Sequence, residues 1–175
     1  MIETELKRVI RDFPDYPNPG IVFKDISPVL MDMKLFTKVV DAFTKQIELL
    51  KVDAIVGVES RGFWFGPAIA QRLNIPFVPI RKKGKLPGDT YIKSYELEYG
   101  SATIEIQKES LKKNARVLVH DDLLATGGTA KAAAQLVELS GAESVGFAFL
   151  VNLTFLNAED ELAQISNNII SLVNY

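Results

Sequence analysis

The run VLVHDDLLATGGTA, Val117 to Ala130, limits what this chain can fold into more than any other stretch. It reads as an apolar strand, a pair of carboxylates at the strand's carboxyl end (Asp121 and Asp122), and a Gly127-Gly128 turn that opens a helix. Such a turn leaves backbone N–H groups unpaired and convergent, and the helix macrodipole adds partial positive charge at the same place, so phosphate is its natural occupant. Two carboxylates beside that cradle would repel the anion unless they face its other end, where sugar hydroxyls or a Mg2+ ion take them up. The run therefore predicts a sugar phosphate with a metal-bound anionic tail, held at the carboxyl edge of a parallel sheet. Neither G-x-x-x-x-G-K-[ST] nor G-x-G-x-x-G occurs, which argues against a P-loop NTPase and a dinucleotide fingerprint.

A chain of 175 residues with 47% hydrophobic content has material for one good core and little for a second. Twenty basic and 22 acidic side chains leave a net charge of -2, so no global field marks a nucleic-acid or membrane-surface protein. Cysteine is absent, which excludes disulfides and thiolate metal sites and fits a reducing cytoplasm. The opening MIETELKRVIRDF is charged and amphipathic, and no later stretch approaches a membrane span. A soluble cytoplasmic protein is the expectation.

Taken in order, Ile2, Leu6, Val9, Ile10 and Phe13 share a helical face, and that helix is expected to end before Pro14. FPDYPNPGIVFKDISPVL, dense in proline, suits an ordered but irregular covering loop, or simply a surface connector. Asp32 is an N-cap for a long amphipathic helix through Phe36, Val39, Val40, Phe43, Ile47 and Leu50. Val52 to Val58 reads as a central parallel strand ending in Glu59-Ser60-Arg61-Gly62, and FWFGPAIAQRL as the helix after it. There Arg61 can grip an anionic oxygen bidentately or serve as a surface ion-pair partner. Pro76 to Ile80 is the next strand, followed by Arg81, Lys82, Lys83 and Lys85, either a solvated face or the positive charge a diphosphate needs. Asp89 to Gly100 reads as a mobile loop or hairpin arm, and Ala102, Ile104 and Ile106 as one side of a half-exposed strand. A helix through Ala133, Leu136 and Val137 stops at Gly141, and strands follow at Val145 to Val151 and Ile169 to Val173. The order of elements is a doubly wound α/β pattern.

These pieces resemble a known family. The DDLLATGGT run is similar to the 5-phosphoribosyl 1-diphosphate (PRPP) signature of the type I phosphoribosyltransferases. FPDYPNPGIVFKDISPVL, ESRGFWFGP, RKKGKLPG and SYELEYG, in this order from about Phe13, resemble the blocks of that family's adenine phosphoribosyltransferase branch, and SYELEYG with RKKGKLPG selects it. The resemblance implies an α/β fold with a central, mostly parallel sheet flanked by helices, a small N-terminal hood and a flexible catalytic loop. It implies one domain over residues 1–175, with about 1–34 as the hood over the base site. The implied reaction is purine salvage: adenine and PRPP, with Mg2+, give AMP and diphosphate. By motif position, Ala125, Thr126, Gly127, Gly128 and Thr129 hold the 5-phosphate, and Asp121 and Asp122 the ribose hydroxyls. Ser60, Arg61, Arg81, Lys82 and Lys85 hold the diphosphate, some of them across a homodimer interface. Val22 and Lys24 offer backbone groups to the adenine edge and Phe23 lies against the base. Glu98 is the acid-base carboxylate with Tyr99 beside it, and Mg2+ is held mainly through substrate and water, near Asp121. Lys24 stands where relatives often have Arg, a change that backbone recognition survives. His120 stands where an apolar residue is commoner, and a structural hydrogen bond at the strand end is its expected role.

Three rivals remain at this stage: transfer to hypoxanthine, guanine, xanthine or orotate, a non-catalytic PRPP-sensing regulator, and a kinase that makes PRPP. A regulator of that kind would need an added DNA-binding domain or a basic surface, and neither is visible here. The kinase is disfavoured by length and by missing ATP-binding features.

Overall fold

A seven-stranded sheet forms around the apolar runs, whose middle strands are too hydrophobic to leave either face in water, with a more polar antiparallel pair at one edge. A computed structural model describes residues 1–96 and 100–175. The chain opens with α1 (Ile2–Val9), a hairpin of β1 (Arg11–Pro14) and β2 (Val22–Asp25), and the helices α2 (Ser27–Met31) and α3 (Met33–Ile47). Then come β3 (Ala54–Val58), α4 (Gly66–Leu73), β4 (Phe77–Lys82), β5 (Thr90–Glu96) and β6 (Ser101–Gln107). The last part is β7 (Arg116–Leu124), α5 (Gly128–Leu139), β8 (Glu143–Asn152), α6 (Ala158–Leu162) and β9 (Ile169–Asn174).

The sheet order is β5-β6-β4-β3-β7-β8-β9. Strands β4, β3, β7, β8 and β9 run parallel, while β6 and β5 form an antiparallel edge. Alternation along the strands divides the core. Val56, Val119, Phe147 and Phe149 pack with Ala133, Leu136 and Val137 of α5. Ile55, Leu118, Ala148 and Leu150 pack on the other face with Val39, Phe43 and Ile47 of α3 and Ile69 of α4. Each fully buried side chain of this size contributes roughly 1.5–3 kcal/mol, so the two layers fix the strand ends that carry polar residues. Asp32 caps α3, its Oδ1 accepting from Lys34 N at 2.9 Å and Leu35 N at 3.1 Å.

The structure departs from the sequence reading in several places, among them the helix expected through Leu50, which ends at Ile47 and is followed by a 3-10 turn. Helix α1 ends at Val9, and Phe13 sits in β1 with 46% of its surface exposed. The proline-rich segment is a hairpin because opposite charges face each other across it: Arg11 opposes Asp25 and Asp12 opposes Lys24. A 3-10 turn, Arg61–Phe63, precedes α4, which begins at Gly66 and not at Phe63. Glu105, on the side of β6 expected to be wet, is 3% exposed and takes up the amides of Lys85 and Leu86 at 2.9 Å each. The arm after Asp89 is strand β5 up to Glu96.

His120 on β7 is fully buried, edge-on to Phe43 with ring centroids 5.5 Å apart, and its Nδ1 donates to the Ala148 carbonyl at 2.9 Å. Nε2 has no partner among the described residues. Burial pushes the imidazole pKa down to about 4 from 6.5, against the pull of the Ala148 bond, so the native ring is neutral. Between pH 6.5 and about 4 the unfolded chain holds a proton that the native state refuses, and stability must fall as pH falls through that window. The expected loss is about 3 kcal/mol. Urea unfolding of the parent and His120→Leu at pH 7 and pH 4.5 checks this: the parent should lose more stability than the variant, and parallel losses would contradict it.

Candidate active site

At the carboxyl end of β7 the chain passes through Ala125 and Thr126 to Gly127, which starts α5 in the left-handed region at φ +85°. Glycine alone takes that conformation without strain, and a Cβ on Gly127 would also meet the Ala158 Cβ at 3.3 Å. The first-turn amides of α5 receive no side-chain cap and there is no acidic residue among them, so the turn keeps its donors for an anion. Thr129 Oγ1 donates to the Tyr95 hydroxyl at 3.1 Å, which brings the arm strand β5 against this turn.

Immediately before the turn lie the two carboxylates. Asp122 is buried at 5% exposure and receives Arg61 through Nε at 2.5 Å and through Nη2. Asp121 Oδ1 accepts the Asp122 amide at 2.8 Å. Loss of water raises the Asp121 carboxyl well above its usual range, the Asp122 charge adds to this, and the Arg61 guanidinium only partly offsets them. Loss of water raises Asp122 as well, with Arg61 pulling against it. Gly62 makes this proximity possible: a Cβ there would stand 2.9 Å from the His120 carbonyl and 3.2 Å from Asp121 Oδ1.

Arg61 joins these acids to the hairpin. Its guanidinium lies 4.8 Å over the Phe23 ring, and Nη2 donates to the Lys24 carbonyl at 3.4 Å. Expected on a diphosphate, Arg61 is turned to Asp122, because a buried carboxylate is costly without a cation or donors beside it. The Lys24 ammonium is turned elsewhere, bonded to both Asp12 oxygens at 2.8 and 2.9 Å and lying 3.7 Å from the Tyr175 ring centroid. Val22 and Lys24 line a cavity of about 680 Å³ that continues to Ala125, Thr126, Leu153 and Tyr175. It links the hairpin to the glycine turn.

The basic run begins inside β4. Glu59, after β3, accepts Arg81 Nε at 3.2 Å, the Lys82 amide at 3.0 Å and Lys85 Nζ at 3.1 Å. Burial alone would raise the Glu59 carboxyl, but the Lys82 amide, Lys85 and Arg81 outweigh it and hold the pKa down to about 2. Ser60 is exposed at the start of the 3-10 turn. Glu98 and Tyr99 lie outside the described residues. The structure thus brings Asp121, Asp122, Arg61 and the hairpin together, and gathers Arg81, Lys82 and Lys85 around Glu59. Sequence reasoning gave no role to Glu59, Gly62, Tyr95, Glu105, Leu153 or Tyr175. Of these, Glu59 and Gly62, inside the quoted ESRG block, and Tyr95, inside SYELEYG, carry a signal.

Comparison with known proteins follows the same lines. The family described as phosphoribosyl transferase domain matches residues 30–167. An adenine phosphoribosyltransferase of Cytophaga hutchinsonii is 47% identical over 175 residues, covering 100% of this chain and 97% of the relative. The crystal structure of adenine phosphoribosyltransferase from Thermoanaerobacter pseudethanolicus superposes with a TM-score of 0.95 at 46% identity, covering 100% of each chain. The Saccharomyces cerevisiae adenine phosphoribosyltransferase, in complex with an imino-altritol bisphosphate and adenine, gives a TM-score of 0.91 at 40% identity over 98% of each chain.

The glycine turn makes a direct prediction. Gly127→Ala is expected to destabilise the fold by about 1–3 kcal/mol through the left-handed backbone and the Ala158 contact, and to weaken phosphate binding at least about tenfold. Thermal unfolding with and without ribose 5-phosphate measures both. Unaltered ligand stabilisation in the variant would remove the turn from the anion site.

Proposed function

The chain belongs to the phosphoribosyltransferase family, among the adenine phosphoribosyltransferases, and on that premise we propose how its residues divide the work. The enzyme transfers the phosphoribosyl group of PRPP to adenine, giving AMP and diphosphate in purine salvage. The observation that supports the residue assignment is the cavity under the hairpin, which reaches Ala125 and Thr126, the two residues that lead from the end of β7 into the glycine turn.

In this reading the amides of residues 125–129 hold the 5-phosphate, and the two aspartates accept the ribose hydroxyls. The main chain of Val22 and Lys24 meets the adenine edge and Phe23 lies against the ring; the Lys24 ammonium, already paired with Asp12, leaves the choice of base to backbone groups. Residues 1–34 form the hood of a single domain. Cleavage of the bond from ribose C1 to diphosphate builds positive charge on the sugar and negative charge on the leaving group. Arg81, Lys82 and Lys85, with Ser60, take the leaving group; Arg61 is free to join them once ribose hydroxyls replace it at Asp122. The carboxylates tolerate the cationic sugar. Glu98 holds or delivers a proton at the base as N9 attacks C1, Tyr99 packs beside it, and closure of the arm keeps water from the cation.

Mg2+ belongs to the same proposal. The ion would be carried by substrate oxygens and water with the Asp121 carboxylate nearby, hard oxygen donors of the kind Mg2+ takes. When bound, it neutralises charge on the diphosphate. No helix of the described residues is long and apolar enough to cross a membrane. A cytoplasmic location and a homodimer complete the proposal, the first supported by the absence of cysteine.

A spectrophotometric assay with PRPP and each purine in turn tests the base assignment: adenine should be converted to AMP, and preference for hypoxanthine or guanine would overturn it. Glu98→Gln should lower kcat at least about tenfold with the PRPP KM nearly unchanged. Glu96→Gln, two positions away in the same arm, should be tolerated. Equal losses at both positions would assign the effect to arm folding and not to proton transfer.

A further inference from the structure

Glu105 is a buried carboxylate that none of the assignments above uses. It lies in β6, in register with Arg81 of β4 and Ile92 of β5, and is 3% exposed. No cation pairs with it among the described residues. Its Oε1 accepts the amides of Lys85 and Leu86 at 2.9 Å each, and its Oε2 accepts the Thr90 hydroxyl at 3.3 Å. Burial pushes its pKa up, but the amides of Leu86, Gly84 and Lys85 and the Thr90 hydroxyl prevail and leave it lowered. A charge is kept inside the protein by loop amides and one hydroxyl, an arrangement that is expensive to desolvate and survives only with well-aimed donors.

The flanks of the loop that supplies those donors are held by Lys83 N on the Thr103 carbonyl and by Gln107 Nε2 on the Pro87 carbonyl, at 3.0 Å each, and between them the Lys85 and Leu86 amides rest on Glu105. Lys82, Lys83, Gly84, Lys85, Pro87 and Gly88 are all exposed. Gly84 and Gly88 both sit in the left-handed region, at φ +82° and +76°. The same loop sets the cations: Lys85 sends Nζ to Glu59, and its carbonyl accepts Arg81 Nη1 at 3.1 Å. Thr90, the third partner of Glu105, is the first residue of the arm strand β5.

We infer that Glu105 is a positioning residue for the diphosphate half of the substrate. Its carboxylate fixes the backbone at residues 85–86 so that Lys85 and Arg81 present their charge together, and through Thr90 it joins this loop to the base of the arm. The inference rests on the proposed assignment of Arg81 and Lys85 to the diphosphate. Fixed donors gain affinity because the loop is not ordered at the moment of binding.

The test is a set of variants, Glu105→Ala, Glu105→Gln and Lys85→Ala, compared by the KM for PRPP, the KM for adenine, and calorimetric titration with magnesium diphosphate. Glu105→Ala should raise the PRPP KM and the diphosphate Kd about tenfold or more, with the adenine KM within about twofold. Glu105→Gln keeps an oxygen for both amides and an N–H for the Thr90 hydroxyl, so it should recover diphosphate affinity to within about threefold of the parent. Equal rises in both KM values, no rise in either, or a Gln variant as impaired as Ala would overturn the inference. If Glu105→Ala does not fold, Glu105→Asp, one methylene short of both amides, takes its place and must show the same split between substrates. Lys85→Ala separates the inference from its premise. If it leaves diphosphate affinity unchanged, the assignment of the loop's cations fails; if it weakens binding while Glu105→Ala does not, Glu105 alone is wrong.

Discussion

Two adjacent carboxylates at the end of the central strand, both short of water, are the constraint on which the rest of this structure depends. Neither can be left alone: Asp121 takes its neighbour's amide and Asp122 takes Arg61. Satisfying them draws the turn after β3 against β7, which requires Gly62 to have no Cβ. It also anchors Arg61, whose other face covers Phe23 and whose Nη2 reaches the Lys24 carbonyl. The hairpin is a separate two-stranded sheet. Its contact with Arg61 connects it directly to the sheet edge where a sugar phosphate would sit. Arg61 meets Asp122 through donors, the same polarity that sugar hydroxyls would present to it.

The basic loop follows the same logic with the signs reversed. Four cations close together would repel one another and wander, and Glu59 draws Arg81 and Lys85 together while fixing the Lys82 amide. Glu105 holds the loop backbone from the other side. Acids therefore stand in two different settings here: Asp121 and Asp122 at the place proposed for sugar hydroxyls, Glu59 among the cations and Glu105 under the backbone of the basic loop. The hydrophobic layers on the two sheet faces make this possible by keeping the strand ends in fixed register under strongly charged groups.

Where pattern and chemistry coincide over a short stretch, the sequence was legible. The apolar runs of β3, β7 and β8 read as doubly covered strands, Asp32 as a helix cap and Gly127-Gly128 as a turn that opens a helix, and all three stand in the fold. The N-terminal hairpin was missed because its signal is pairwise and antiparallel: Arg11-Asp12 against Lys24-Asp25 is visible only when the register is known. Glu105 was misread because period-two alternation assigns a charged residue to the wet side, and only the folded loop shows amides waiting for it. His120 was read as a structural histidine, and its bond to the Ala148 carbonyl agrees. Leu153 and Tyr175 reach the cavity from the far end of the chain, a proximity that no local pattern encodes.

The most direct test of this division of the site is a crystal structure of the protein with AMP bound. The phosphate should lie on the amides of residues 125–129, the ribose hydroxyls on Asp121 and Asp122 with Arg61 displaced from Asp122, and the base against Val22, Phe23 and the Lys24 main chain. A phosphate bound at Arg81, Lys82 and Lys85 and none on the glycine turn, or an adenine away from the hairpin, would contradict it.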